Sequence, residues 1–143
     1  MLFPFTSSEF GMFRIGLRVV GTIQLILGLA YLLLPAQFLA QMGHSPVAAD
    51  LYYPLGMLAA RFLAYGAGFW LISKEPEKHL LWIRLMAVIQ AIDLGVGLVY
   101  SVQGVVPWSL SCFPMFNAAW IGLMCFFWQP RETSPNTPPL TAI

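Results

Sequence analysis

The sequence predicts an all-α membrane protein, a four-transmembrane-helix bundle with its N-terminus and C-terminus both on the cytoplasmic side. This prediction rests on composition, on the spacing of apolar stretches and on the distribution of basic residues. Of the 143 residues, 59% are hydrophobic and 9% are charged, whereas a soluble domain carries about a quarter charged residues. The apolar content excludes disorder, and the low cysteine and glycine content excludes disulfide scaffolds and collagen-like chains.

Four apolar stretches are each long enough to cross a bilayer, because about 20 residues span its hydrocarbon core. They place transmembrane helices at about 12–34, 55–73, 80–101 and 107–128. Residues 1–128 therefore form one transmembrane domain in this prediction. Residues 129–143 contain four prolines and are expected to form a disordered cytoplasmic tail. We also expect a short turn or half-helix between Pro46 and Pro54.

Basic residues lie at one side of the predicted membrane domain. Six of the seven flank the start of helix 1, the link between helices 2 and 3, and the end of helix 4: Arg14, Arg18, Lys74, Lys78, Arg84 and Arg131. The loops at 35–54 and 101–107 contain no Lys or Arg. Because positively charged flanks stay in the cytoplasm, the chain is predicted to be a multi-pass membrane protein oriented N-in and C-in.

Two charged residues lie deep within the predicted helices. With a rise of about 1.5 Å per residue, Arg61 lies about 10 Å and Asp93 about 12 Å below the outer interface. A charge at the bilayer centre costs at least about 2.5–3.5 kcal/mol, so each of these groups needs a partner. Their opposite charges and matching depths predict that Arg61 and Asp93 lie together.

Polar and small residues form stripes on the same helices. Helix 1 aligns Gln24 with Gly21 and Gly28, which permit close helix approach, and helix 3 aligns Gln90 with Asp93. Tyr65 shares a face with Arg61 on helix 2, and helix 4 aligns Asn117 with Trp120. The outer half of the bundle is therefore predicted to enclose Arg61 and Asp93 together with five candidate ligand-binding residues: Gln24, Tyr65, Gln90, Asn117 and Trp120. Whether the pair fixes helix register, lines a ligand pocket or forms an ion path stays open at this point.

Other chemistry has little support in the sequence. His44 and His79 are predicted at opposite faces of the membrane, so no metal site is expected, and His44 is interpreted as a solvated loop residue. Cys112 and Cys125 lie about 20 Å apart along one helix and cannot form a disulfide with each other. No phosphate-binding, nucleotide-binding or hydrolase motif occurs, so no cofactor is expected. A net charge of +1 gives no indication of nucleic-acid binding.

The pattern Arg18-x-x-Gly21, followed by Gly28 and by Pro35 after an apolar run, resembles the opening helix of small four-helix DoxX-like bacterial membrane proteins. The resemblance covers the first half of the chain. It implies a four-helix inner-membrane bundle of a kind sometimes associated with oxidoreductase systems. Arg61 within helix 2 and the absence of paired redox cysteines depart from that pattern, so no functional residue is carried over.

Three function classes fit these observations. The leading hypothesis is a non-catalytic accessory or assembly component of a membrane system, which would contact lipid and a membrane-protein partner or a second copy. The alternative is a small membrane enzyme, an isomerase or cyclase acting on a lipophilic isoprenoid- or sterol-like substrate, with Asp93 as acid or base and Arg61 assisting it. Trp120 would then stabilise a cationic intermediate. The second alternative is an oligomeric transporter or channel.

Overall fold

The computed structural model describes residues 7–129 of the chain, with side chains described from residue 11 onward. This range contains four long helices and one short helix: α1 (Ser7–Leu33), α2 (Pro35–Gln41), α3 (Tyr52–Ile72), α4 (Leu80–Val102) and α5 (Trp108–Phe127). Two 3₁₀ turns, Ala49–Leu51 and Pro76–Lys78, precede α3 and α4. The predicted tail at 129–143 lies outside the described residues except for Gln129.

The four long helices are each long and apolar enough to cross a membrane. Their bounds lie close to the predicted ones, although α1 begins earlier, at Ser7, and α3 begins at Tyr52. Large apolar side chains also cover the outside of the bundle, and Leu71 and Phe116 on it are 65% and 72% exposed. In water this surface would be costly, so its composition fits a helix bundle surrounded by lipid.

The short helix α2 occupies part of the region that the sequence assigns to a loop. Leu34 leaves the helical conformation, with φ −136°, because a residue that precedes proline is disfavoured in the α region. Pro35 then begins a new helix at its first position, where the missing N–H costs no hydrogen bond. The short turn or half-helix expected between Pro46 and Pro54 is a single 3₁₀ turn at Ala49–Leu51.

The long helices form two antiparallel pairs, α1 with α3 and α4 with α5. The first pair is close enough for backbone contact, because a Cβ atom built on Gly21 would lie 2.9 Å from the carbonyl oxygen of Gly66. A Cβ atom on Gly66 would lie 2.8 Å from the carbonyl oxygen of Gly21. Gly28 has the same close relationship to Leu63, at 2.7 Å from its Cγ. The prediction that Gly21 and Gly28 permit close helix approach is confirmed.

The hydrophobic core lies toward one end of the bundle. We call this end, which carries the start of α1, the α3–α4 turn and the end of α5, the terminal end; the opposite end, with α2 and the α4–α5 turn, is the α2 end. All four long helices contribute buried apolar side chains to the terminal half: Phe13, Leu17, Val20, Phe69, Ile72, Leu80, Ile83, Met86, Ile121, Met124 and Cys125. This core joins the two helix pairs in the terminal half. In the α2 half, an ion pair and a cavity lie between the pairs.

A ring of polar contacts fastens α1 to α3 near the terminal end. Arg18 Nε donates to Ser73 Oγ at 3.2 Å, and Ser73 Oγ donates to the Trp70 carbonyl at 2.8 Å. Trp70 Nε1 donates to Thr22 Oγ1 at 3.2 Å, and Thr22 Oγ1 donates to the Arg18 carbonyl at 2.9 Å. The Arg18 guanidinium also lies 5.9 Å from the centre of the Trp70 ring. Arg18 and Trp70 therefore fix each other in position.

The α3–α4 turn carries charged residues outside the spans. Glu77 lies 3.7 Å from the Arg14 guanidinium, and Lys78 Nζ donates to Glu75 Oε1 at 2.7 Å. The hydrogen bond from Lys78, with its positive charge, lowers the pKa of the Glu75 carboxyl below its ordinary value. Glu75 and Lys78 are exposed, so their ion pair contributes little to stability.

Candidate functional site

The two helix pairs are joined in the α2 half by an ion pair. Arg61 Nη2 on α3 donates to Asp93 Oδ2 on α4, so the predicted proximity of Arg61 and Asp93 is confirmed. Both side chains are about one-third exposed. The Arg61 guanidinium also lies 5.7 Å from the centre of the Tyr65 ring, a distance at which the face of the ring attracts a cation. The charges thus satisfy each other within a span where an isolated charge is costly.

A cavity of about 350 Å³ lies beside this ion pair, between the α1–α3 and α4–α5 pairs. Its volume falls in the range of about 300–1,000 Å³ that is usual for small-molecule sites. Apolar side chains from three helices form much of its wall: Leu27, Leu58, Phe62, Leu110, Phe113 and Met115. Polar side chains at its inner part come from all four long helices: Gln24, Arg61, Gln90, Asp93, Ser111 and Asn117.

Three side-chain amides at the cavity have no hydrogen bond to another residue within 11–129: Gln24, Gln90 and Asn117. Gln24 and Gln90 are only 3% and 5% exposed. Gln24 Oε1 and Arg61 Nε are fully buried atoms without a hydrogen-bond partner in the described part of the chain. Each such group costs about 1–3 kcal/mol when nothing bonds to it. The site therefore has hydrogen-bonding capacity that the described part of the chain does not use.

The α2 end of the cavity is covered by the segment after α2. Gly43 adopts φ +88°, a left-handed conformation that favours glycine. The amide of His44 bonds the carbonyl of Leu39 and the amide of Gly43 bonds that of Ala40, both at 3.0 Å, which forms a Schellman motif. This turn directs the chain back over the bundle, so Met42 and His44 line the cavity.

Aromatic contacts hold α2 in this position. The Tyr31 ring stacks on Phe62 with centroids 5.8 Å apart and meets the edge of Phe38 at 4.8 Å. Tyr31 thereby connects α1 to both α2 and α3, and it also lines the cavity. Leu39 on α2 is buried. The cover is thus part of the packed structure.

Pro114 interrupts the backbone hydrogen bonding of α5 at the cavity wall. Proline has no N–H, so the carbonyl of Leu110, four residues earlier, loses its helical partner. Both residues line the cavity. The interruption therefore leaves one backbone acceptor of α5 without its helical partner beside the cavity.

Two of the candidate ligand-binding residues do not line the cavity. Trp120 is 45% exposed and its ring meets that of Trp128 edge-on, 6.1 Å away. The buried face of α5 passes through Ala118 and Ile121, so Asn117 lies at its edge and Trp120 falls beyond it. Tyr65 packs partly against the core and reaches the site through Arg61. The structure brings the other candidates together: Gln24, Arg61, Gln90, Asp93 and Asn117.

The sequence interpretation missed several residues that form this site. His44 was expected in a solvated loop, yet it lines the cavity with Met42. The sequence signal for this fold-back is Gly43, because a glycine just after a helix commonly forms the turn that reverses the chain. Pro114 is a second sequence signal, because a proline within an apolar span leaves the carbonyl four residues earlier without its helical hydrogen bond.

A second concave surface lies outside the bundle, along α4 and α5 in the terminal half. This groove, of about 690 Å³, has small residues on both walls, among them Ala87 and Ala91 on α4 and Ala119 and Gly122 on α5. Arg84 Nε donates to Gln129 Oε1 at 3.2 Å at one end of the groove. Its lining is almost wholly apolar, as a surface in contact with lipid or with another helix would be.

The described residues meet neither the requirements of a metal site nor those of a disulfide. No group of three or more His, Cys, Asp or Glu side chains there could hold a metal ion. Cys112 is exposed and Cys125 is buried, and both are free thiols.

No protein-family model, curated protein or solved structure matches the chain. The resemblance to DoxX-like proteins therefore stays a prediction.

Proposed function

We propose that this protein is a multi-pass membrane protein, oriented N-in and C-in, that binds a small lipophilic molecule in the cavity beside Arg61 and Asp93. The observation that carries the proposal is the set of buried polar groups without partners, above all Gln24 and Gln90. They lie in a cavity of suitable volume whose remaining wall is apolar. Such a combination of an apolar wall with a few convergent polar groups is typical of small-molecule sites.

A purely structural role explains the ion pair but not the amides. An Arg61–Asp93 pair alone would fix the register of α3 against α4. The side chains of Gln24 and Gln90 add nothing to that register, because neither bonds to the pair or to another residue within 11–129. In a span they lower stability unless something bonds to them. A bound molecule with a polar end supplies the missing partner.

The second candidate is the accessory or assembly role, and the groove along α4 and α5 favours it. Small residues at helix-turn spacing, such as Ala87 and Ala91, allow a second helix to approach closely. The partner would be a transmembrane helix of another membrane protein. The two roles are compatible, because the groove and the cavity have only Gln90 and Ala118 in common among their lining residues.

Catalysis and transport are further alternatives with less support. An enzyme would use the same cavity with Asp93 as acid or base, but Trp120, the residue expected to stabilise a cation, lies outside it. A transporter needs a path through the terminal half as well. Within one chain that half is filled by buried side chains such as Phe69 and Ile83, so a path would have to form between copies.

Native mass spectrometry of gently extracted protein tests the main proposal. We expect the wild-type protein to carry a lipophilic adduct of discrete mass. The Asn117→Leu variant, changed at a residue that lines the cavity and not the groove, should lose it while keeping its thermal stability. Trp120→Leu is the control, because Trp120 lies outside the cavity, and it should retain the adduct. A folded wild-type protein with no adduct would contradict the proposal.

The same spectra test the second candidate. A co-purifying membrane protein that is lost in Ala91→Phe, which fills the groove without touching the cavity, supports the accessory role. Retention of that partner in Ala91→Phe would show that the groove is not its binding surface. A bound molecule that is released with a changed mass would instead support the enzyme hypothesis.

A further inference from the structure

The polar groups of the cavity specify the chemistry of the molecule more closely, and this inference rests on the proposed function. Arg61 and Asp93 neutralise each other, and the amides of Gln24, Gln90 and Asn117 carry no charge. A ligand with a net charge would bring an unbalanced charge into the span, which is costly without a partner of opposite charge. The polar end of the ligand is therefore expected to be neutral.

Two buried atoms without partners define what that end must offer. Gln24 Oε1 is an acceptor and needs a donor, whereas Arg61 Nε carries a hydrogen and needs an acceptor. A hydroxyl group meets both needs, because its O–H donates while its oxygen accepts. An ether or a ketone offers only an acceptor, and an ammonium offers only donors and adds a charge.

We propose that the cavity binds an uncharged lipophilic alcohol or phenol, whose hydroxyl donates to Gln24 Oε1 and accepts from Arg61 Nε. The hydrocarbon part then lies against the apolar wall, which includes Leu27, Phe62 and Met115. Asp93 holds the guanidinium through Nη2, so Nε stays without a partner among the described residues.

Matched probes test the hydroxyl directly. The protein is reconstituted in lipid nanodiscs, and equilibrium dialysis against protein-free nanodiscs corrects for partition of each probe into lipid. The probes are para-hexylphenol, para-hexylanisole, hexylbenzene and para-hexylbenzoate. We expect the phenol to bind at least about tenfold more tightly than the anisole or hexylbenzene, as a hydrogen bond to a charged group implies. The benzoate should bind more weakly than the phenol.

A Gln24→Met variant tests the proposed partner. Methionine has a similar unbranched shape without the amide, so the preference for the phenol over the anisole should fall to less than about threefold, while hexylbenzene binding stays within about twofold. Gln103→Met, at an exposed position at the end of α4, is the matched control and should keep the preference. Thermal unfolding of both variants verifies that they fold.

The outcomes separate this inference from the proposed function. Equal binding of the phenol and the anisole, or a preference for the benzoate, overturns the inference that the ligand carries a hydroxyl group. Saturable binding of these probes would still support a lipophilic site. A preference that persists in Gln24→Met overturns the assigned partner. If no probe binds but the native adduct is present and depends on Asn117, the hydroxyl inference fails and the proposed function stands. If neither probe binding nor a native adduct is observed, the hydroxyl inference and the proposed function both fail.

Discussion

The guanidinium of Arg61 on α3 and the carboxylate of Asp93 on α4 form an ion pair that joins the two helix pairs beside the cavity. The pair lies in the half of the bundle where the main hydrophobic core is absent. Contact between the pairs in that half therefore depends on polar groups to a larger extent than at the terminal end. This relationship makes the pair the first target for measurements of stability.

Removing one member of the ion pair should cost more than removing both. A fully buried pair loses about 3–5 kcal/mol when one partner is removed, and this pair is one-third exposed, so we expect about 2 kcal/mol for Arg61→Leu or Asp93→Leu. The double variant leaves no charge without a partner and should regain part of that loss. Chemical unfolding in detergent measures the cycle. Additive losses would show that the two side chains do not interact.

The contact between α1 and α3 predicts a large effect of one methyl group. Gly66→Ala places a Cβ 2.8 Å from the carbonyl oxygen of Gly21, so the helices must separate, at a cost of about 1–3 kcal/mol. Gly95→Ala is the matched control, because nothing lies within 4 Å of its Cβ position and alanine favours helix. Thermal unfolding compares them, and an equal melting temperature for both variants would contradict the close approach.

A buried hydrogen bond should fasten α4 to α5 at the α2 end. Ser101 Oγ donates to Ser111 Oγ at 2.6 Å, and both residues are buried. Ser101→Ala or Ser111→Ala should each cost about 1 kcal/mol, and the double variant should cost little more than either one. Ser109→Ala, at an exposed position, should have no effect. Independent, additive losses would argue against this hydrogen bond.

The proposed orientation predicts which loops face the cell exterior. Single cysteines are introduced as Ser45→Cys, before α3, and Glu75→Cys, in the α3–α4 turn, in a background with Cys112 and Cys125 replaced by alanine. Because the basic residues flank the terminal end, a membrane-impermeant maleimide should label Ser45→Cys in intact cells. Glu75→Cys should react only after the cells are permeabilised. The reverse pattern would overturn the N-in orientation.

Some of the fold and site could be predicted because they depend on spacing along the chain. Helix positions follow from apolar length, and the pairing of Arg61 with Asp93 follows from counting residues to a common depth. Gln24 was correctly placed on an inward stripe with Gly21, because helical periodicity sets which residues share a face.

Other features depend on how the helices are arranged in space, which periodicity does not define. The direction of the Trp120 side chain depends on how α5 is rotated against its neighbours. Trp120 follows Asn117 by only three residues, yet its side chain lies on the outer surface of the bundle. The cover over the cavity depends on the turn at Gly43, a single backbone conformation. The volume of the cavity depends on the separation of the two helix pairs, which no local pattern encodes.

A crystal structure of protein extracted gently from its native membrane tests the central claim most directly. The account predicts electron density for a small molecule in the cavity, with a polar atom within hydrogen-bonding distance of Gln24 Oε1 and Arg61 Nε. It also predicts an intact Arg61–Asp93 pair. A collapsed cavity in which Gln24, Gln90 and Asn117 bond to one another would contradict the account.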